Sequence, residues 1–247
     1  MKRCMDTGFI NRIKGYAALF MAVMAAILLV PVDGYSSERE YPDVILDTRL
    51  EADVFSGGSL QAVFEKDGWM FYMLDIRDLT DREMACGHIL PLAPSYSQYY
   101  VRYWDNGRLS MIVECVANLP VGIQTFFDEN GNISEQVDYS KKFGKMSPQD
   151  ILSILEREKV ISLSDGRSRK VSASEFAFFF SLEYDDKTNI WLADINLDFE
   201  KEPEANPVSP FYRKYARYSI DGETGRILDV TYETRYEESE YDEVGAD

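Results

Sequence analysis

Residues 99–116 read YYVRYWDNGRLSMIVECV. Aromatic and branched side chains suit a pleated, half-buried surface. Two runs of them, Tyr99–Trp104 and Arg108–Val116, flank Asp105-Asn106-Gly107, residues that suit a tight reversal. In the second run Leu109, Met111, Val113 and Cys115 alternate, which puts them on one face of a strand. The pattern returns in residues 122–139, GIQTFFDENGNISEQVDY, where Gly122–Phe127 and Asn132–Tyr139 flank Asp128-Glu129-Asn130-Gly131. Asn118-Leu119-Pro120 turns the chain between the two hairpins. Asn-Gly favours primed turns, whose central residues both need positive φ. The expectation is an antiparallel meander of four strands.

Upstream, the apolar runs Leu60–Phe64 and Trp69–Ile76 are split by Lys66-Asp67-Gly68, which reads as a further hairpin. Residues 78–98 hold Pro91, Pro94 and Cys86-Gly87-His88 and read as a loop or a short helical turn. Downstream, Ser147-Pro148-Gln149-Asp150 opens a helix: Ser147 can cap, Pro148 fits the first helical position, and Asp150 favours the positive end. Ile151, Ile154 and Leu155 form its apolar stripe, with an end near Lys159. Phe176, Phe178, Phe180, Leu182 and Tyr184 then alternate, as do Trp191, Ala193, Ile195, Leu197 and Phe199. Pro203, Pro207 and Pro210 mark a loop. Tyr212–Ile220 and Arg226–Tyr232 form a last hairpin about Asp221–Gly225, and the acidic tail from Glu233 reads as frayed. The expected class is α+β: an antiparallel β meander, then a helix packed on a second antiparallel sheet. The expected divisions are a leader at 1–34, a β domain at 44–142, an α+β domain at 143–233 and an acidic tail at 234–247.

Lys2, Arg3, Arg12 and Lys14 lead into an apolar run from Tyr16 to Val32, closed by Pro31 and Asp33 and followed by Gly34. That pattern reads as a secretory signal peptide cut near Gly34 or Ser36. The competing reading is an uncleaved anchor at residues 16–32, which leaves the main body on the same, outer side of the membrane. The expected location is therefore periplasmic or extracellular. The formal net charge is −17, and removing the leader makes it about −19. So acidic a surface disfavours nucleic acid and anionic lipid and suits a basic protein partner; it also keeps an exported protein soluble. Any membrane contact falls to the N-terminal segment. Outside the cytosol, Cys86 and Cys115 read as one disulfide closing about 30 residues, on the order of 3–4 kcal/mol in the chain-entropy model. Two separately buried thiols are the alternative.

The final hairpin, Tyr218-Ser219-Ile220-Asp221-Gly222-Glu223-Thr224-Gly225-Arg226-Ile227-Leu228, with a helix upstream of it, looks like a PepSY-type domain spanning about Ser147 to Thr231. The Pro-rich stretch between Phe199 and Phe211 departs from that pattern. The meander, with Tyr103-Trp104-Asp105-Asn106-Gly107 and Phe127-Asp128-Glu129-Asn130-Gly131, is similar to MORN-like antitoxin repeats. The PepSY resemblance implies an extracytoplasmic, non-catalytic module of the kind associated with inhibiting or chaperoning secreted peptidases. It carries over no catalytic residue.

Chemistry has few places to reside. His88 is the only histidine. Cys86 and His88 are two apart and share a strand face, a nucleophile pair on paper, but the segment lacks an elbow or capped-helix context. One histidine and two cysteines without ligand spacing make a poor zinc site. Asp128, Asn130 and Asn132 open like a calcium loop, but Gly131 and Tyr139 stand at the wrong positions. No phosphate loop and no cofactor is expected. Two aromatic groups remain: Tyr99, Tyr103 and Trp104 (with Tyr96 and Tyr100), and Tyr212 and Tyr215 (with Tyr218) interleaved with Arg213, Lys214 and Arg217. Tyrosine and arginine are enriched at interfaces, and Arg213–Arg217 is the one dense basic patch, a candidate for an anionic ligand. Equally, these are ordinary strand residues with one ring face packed. The expected function is a non-enzymatic binding or inhibitory module of the cell envelope, acting on a basic protein or a secreted peptidase. A periplasmic immunity protein against a toxin and a structural envelope component are the alternatives.

Overall fold

The computed structural model describes residues 41–51, 53–55, 60–166, 169–171, 176–198 and 211–237. The leader at 1–34, the apolar run at 16–32, the segment with Pro203, Pro207 and Pro210, and the tail from 238 lie outside the described residues.

In chain order the elements are α1 (Asp43–Leu46), β1 (Gln61–Lys66), β2 (Trp69–Asp75), β3 (Glu83–Pro91), β4 (Ser97–Trp104), β5 (Leu109–Val116), β6 (Leu119–Pro120), β7 (Ile123–Phe127), β8 (Ile133–Asp138), α2 (Pro148–Arg157), β9 (Arg169–Val171), β10 (Phe176–Phe178), β11 (Phe180–Asp185), β12 (Ile190–Asn196), β13 (Phe211–Asp221) and β14 (Ile227–Glu237). The expected α+β class is corrected: the protein is mostly β. Helical periodicity occurs in the ten residues of α2, and α1 is a single turn of four. Nearly everything else with regular backbone is antiparallel strand.

The first sheet runs in the order β1-β2-β3-β4-β5-β7-β8, with β6 pairing β5. The four meander strands are present as β4, β5, β7 and β8, and the upstream hairpin as β1 and β2. The stretch 78–98, expected to be irregular, instead contributes the nine-residue strand β3 between β2 and β4. Gly87 shows why: an added Cβ would stand 2.0 Å from the Tyr72 carbonyl oxygen of β2. The glycine lets two backbones close up.

The turns also depart from expectation. The primed geometry occurs at Asp67-Gly68, where both residues have positive φ (50° and 80°). At the two Asn-Gly pairs only the glycines do, Gly107 at 77° and Gly131 at 91°. A register shift precedes each turn, at Arg102/Tyr103 and at Phe126/Phe127. That combination, a left-handed glycine and a bulge, is the other common hairpin solution. The two turns lie against one another: Asn106 Nδ2 donates to the Glu129 carbonyl at 2.9 Å, and Trp104 Nε1 to the Phe127 carbonyl at 3.1 Å.

The second sheet has the order β11-β12-β13-β14. The expected single strand from Phe176 to Tyr184 is broken at Phe179: Phe176–Phe178 pairs with β9, and only from Phe180 does the chain join the four-stranded sheet. One face of that sheet, through Leu182, Trp191, Ala193, Ile195, Ala216, Tyr218 and Ile220, packs against Ile151, Leu152, Ile154 and Leu155 of α2. Each buried aliphatic side chain contributes about 2 kcal/mol. Ser147 caps the helix reciprocally: its Oγ accepts from Asp150 N at 3.2 Å, and its own N–H donates to Asp150 Oδ2 at 2.8 Å. The same core takes in Tyr96, Val116, Ala117 and Val121 of the first sheet's end. Residues on both sides of the expected boundary at 142/143 therefore share one interior, and residues 38–247 form one unit. The first sheet has its own core on one face, built from Phe71, Met73, Ala85, Ile89, Val101, Tyr103 and Ile112 under Ile45 of α1. No helix among the described residues is long and apolar enough to cross a membrane.

Candidate functional site

The expected bridge between Cys86 and Cys115 is not made; both are free thiols. Cys86 on β3 is level with Arg102 of β4 and, through it, with Met111 of β5. Cys115 lies four residues further along β5 and two strands away from Cys86, which separates the pair by roughly 16 Å. A disulfide needs Cα atoms within about 7 Å. Spacing in sequence suggested a loop, whereas the intervening β4 fixes the distance.

Cys86 and His88 do share a face of β3, and their cross-strand neighbours on β4 are Arg102 and Tyr100. The His88 and Tyr100 rings lie 5.2 Å apart. Below them Ser110 Oγ donates to Glu83 Oε1 at 2.8 Å, and Arg102 pairs with Glu83 at 2.9 Å. The electrostatics run against nucleophilic chemistry. Burial raises the Cys86 thiol, with a Tyr100 hydrogen bond opposing it in part, and pushes Cys115 up to about 12. The thiolate is the nucleophile, and here the protonated form is favoured. Burial lowers His88 to about 4, offset in part by a hydrogen bond to Gln98, so the imidazole is neutral at neutral pH.

That shift has a consequence for stability. The folded pKa lies below the unfolded value near 6.5, so on acidification the unfolded chain takes the proton first. Stability is expected to fall as pH drops from about 6.5 to about 4, by on the order of 3 kcal/mol, and to gain nothing above that window. Urea titrations across this range should show the slope in the native chain and lose it in His88→Gln. A slope that survives the substitution would assign it to other groups.

The first aromatic group is not a surface. Tyr103 is fully buried, and burial lifts its phenol well above the usual range. Tyr99 packs on the same core, 5.8 Å from the Trp69 ring and 6.2 Å from Tyr41. Trp104 is spent on the Phe127 carbonyl. Alternation along β4 sends Tyr99 and Tyr103 to one face and Trp104 to the other, so the three do not converge.

The second group does converge, in part. Arg213, Tyr215 and Arg217 alternate on the face of β13 turned away from α2, and β12 and β14 bring Asp194, Asn196, Glu233 and Arg235 beside them. The Arg235 guanidinium lies 4.2 Å over the Tyr215 ring. Asp194 Oδ2 accepts from Arg217 at 2.8 Å and from Arg235 at 2.6 Å, and Arg235 also pairs with Glu233. Arg213 Nη1 donates to the Asp198 carbonyl at 3.1 Å. Together with Phe179, Phe180 and Ser181, the residues Asp194, Asn196, Arg213, Tyr215 and Arg235 line a pocket of about 330 Å³. Tyr212 stands opposite Tyr236 in the register; its side chain is not among those described. Sequence reasoning missed Arg235 and Asp194. The signal for Arg235 was present, since Asp229, Thr231, Glu233 and Arg235 alternate in phase with the preceding strand, but the acidity of the tail masked it.

A second concavity, of about 410 Å³, lies beside Arg77, Thr80, Asp81, Met84 and Asp105. Its one arginine is already held by Asp75, whose carboxyl the Arg77 hydrogen bond keeps below the usual range. No group of three or more metal-ligating side chains occurs among the described residues. No protein-family model, curated protein or solved structure matches the chain.

Proposed function

We propose that the chain is an exported, non-enzymatic binding module of the cell envelope, and that it grips an acidic segment of a protein partner on the outer face of the four-stranded sheet. The observation that carries this reading is the convergence of Arg213 and Arg235 on Tyr215 in one pocket, with Arg217 beside it, on a chain of net charge −17. Guanidinium groups present a planar fork that matches carboxylates, and tyrosine with arginine is the usual anchor chemistry of interfaces. The acidity of the rest of the chain repels an acidic segment elsewhere and steers it to this face. The buried, protonated thiol of Cys86 supports binding over nucleophilic catalysis. Export is the expectation from residues 1–34, and inhibition of a secreted peptidase is the form of binding that the PepSY resemblance implies.

The test is direct. A fluorescent Glu-rich decapeptide is expected to bind the purified chain. Arg213→Gln and Arg217→Gln should each weaken it about tenfold, about 1.4 kcal/mol per arginine. Salt near 1 M, where screening acts within about 3 Å, should abolish most of the binding. A Gln-rich peptide binding equally well, or arginine variants without effect, would overturn the reading. Adding the chain to a secreted peptidase then decides whether binding inhibits.

A further inference from the structure

The two edges of the four-stranded sheet are treated differently. At β11 the backbone is engaged from outside the sheet: Leu182 N–H donates to Asn118 Oδ1 at 3.1 Å. At the other edge β14 runs for eleven residues, and among the described strands it pairs with β13 alone. It carries neither proline nor lysine, the residues that commonly blunt an edge, and it exposes Leu228 (42%) and Tyr232 (69%). A long open edge of this kind is a template for a further strand.

We propose that this strand is β14 of a second copy, paired antiparallel about a two-fold axis at Tyr232. The charge pattern selects the occupant. With the axis at Tyr232, the midpoint of Ile227–Glu237, the whole strand is used and Asp229 lies opposite Arg235 of the second copy, twice over. In that register Leu228 is level with position 236 and Val230 with Thr234. An axis one residue earlier sets Asp229 against Glu233. An axis one residue later sets Glu233 against itself and Asp229 against Glu237. Opposite charges facing each other across strands stabilise the pair and like charges destabilise it. The groups have capacity to spare. Arg235 uses Nε and Nη2 within its own chain, leaving Nη1 without a hydrogen bond among the described residues. Asp229 accepts from Thr231 through Oδ2 alone. The first sheet's edges offer no such match: the charged residues of β8 are Glu135 and Asp138, both acidic, and those of β1, Glu65 and Lys66, are adjacent, so they point to opposite faces and cannot stand across from one another. Dimerisation in this register makes one eight-stranded sheet from two and places the two arginine pockets on one continuous face.

The proposal is independent of what binds those pockets and is tested without any ligand. In a Cys4→Ser background, with Cys86 and Cys115 covered by the fold, Tyr232→Cys should crosslink two full chains under mild oxidant in intact cells. Antiparallel neighbours have Cα atoms about 4.5–5.5 Å apart, within disulfide reach. Thr234→Cys, on the same strand face but roughly 14 Å from its own counterpart, should not crosslink. Asp229→Arg and Arg235→Asp should each weaken the dimer at least tenfold in sedimentation, and an equal mixture of the two should reassociate, because every junction is again oppositely charged. A native chain that sediments as a monomer up to ~100 μM, which excludes a dimer with a tighter dissociation constant than that, overturns the proposal. So does crosslinking at Thr234→Cys in place of Tyr232→Cys, or charge variants that remain dimeric alone.

Discussion

Gly87→Ala is expected to destabilise the chain by about 3 kcal/mol or more. Gly87 stands in the middle of β3, paired in register with Met73 of β2 and Val101 of β4. A methyl group there would lie 2.0 Å from the Tyr72 carbonyl oxygen and 2.9 Å from the Met73 Cα. The third neighbour, Met73 Cε at 2.7 Å, is the end of a flexible side chain and can turn away. The backbone cannot: β2 is held on its far side by six register pairs to β1. Room can come only from parting two central strands and the core beneath them, where Phe71, Met73, Ala85 and Ile89 are fully buried. Ordinary overpacking costs about 1–3 kcal/mol, and a clash with fixed backbone lies at or above the top of that range, a large share of a total stability of about 5–15 kcal/mol. Gly68→Ala is the control. It has open space around it but a φ of +80°, so it should cost only about 1–2 kcal/mol of backbone strain. Urea unfolding followed by far-ultraviolet circular dichroism checks both. A Gly87→Ala midpoint equal to the native one would show that β2 and β3 can separate freely.

Gly87 also shows what a sequence hides. In Met84-Ala85-Cys86-Gly87-His88-Ile89-Leu90-Pro91 the glycine and proline resemble loop residues, and no alternation is visible because apolar side chains face both ways: Ala85 and Ile89 enter the main core while Leu90 packs with Met70 and Tyr72 on the opposite face. A strand in the middle of a sheet with both faces covered loses the period of two that makes strands legible. Strands with one open face are legible for the converse reason. β12 and the β13–β14 hairpin keep the alternation, and α2 declares its start through Ser147, Pro148 and Asp150. The turns were located correctly by their Asn-Gly pairs but not typed correctly, because a left-handed glycine with a bulge and a primed pair use the same residues. What tips the balance at Gly107 is tertiary: Leu50 N–H donates to its carbonyl at 2.9 Å.

The site followed the same logic. Whether two cysteines meet depends on strand order and register, and β3, the strand that carries Cys86, is invisible when residues 78–98 are read as a loop. Whether tyrosines form a surface depends on which face of a strand they occupy, so the dense cluster at Tyr99–Trp104 became interior while the sparser Arg213–Arg217 run, one face of which looks away from α2, stayed outside. Net charge points to a basic partner, yet at the pocket arginines and acids stand together, with Asp194 between Arg217 and Arg235. Global charge sets what approaches; the side chains within a few ångströms set what stays.

Trp191→Ala should be the most damaging single truncation in the second core, and it also asks whether the two sheets melt together. Trp191 is fully buried, wedged between Phe143 at 5.0 Å and Tyr184 at 4.8 Å, with Ile220 as its cross-strand neighbour on β13. Removing an indole from such a site costs about 3–5 kcal/mol through lost transfer energy and the cavity left behind. Its Nε1 is buried without a hydrogen-bond partner among the described residues, so the loss is one of packing. Trp191→Phe, which keeps much of the volume and removes the unsatisfied donor, should therefore recover most of the stability. A Phe variant as weak as the Ala variant would mean that the indole nitrogen has a role the packing account omits. Because Tyr96, Val116 and Ala117 of the first sheet belong to the same core, the damage should reach across. Trp104 lies in the first sheet, with its Nε1 bonded to the Phe127 carbonyl, and its fluorescence should change in the same urea interval as the circular dichroism signal. Coincident transitions are the mark of a single cooperative unit. If Trp104 keeps its native emission after the α2-bearing sheet has melted, the shared core is too thin to couple the sheets, and residues 44–142 and 143–233 behave as separate domains.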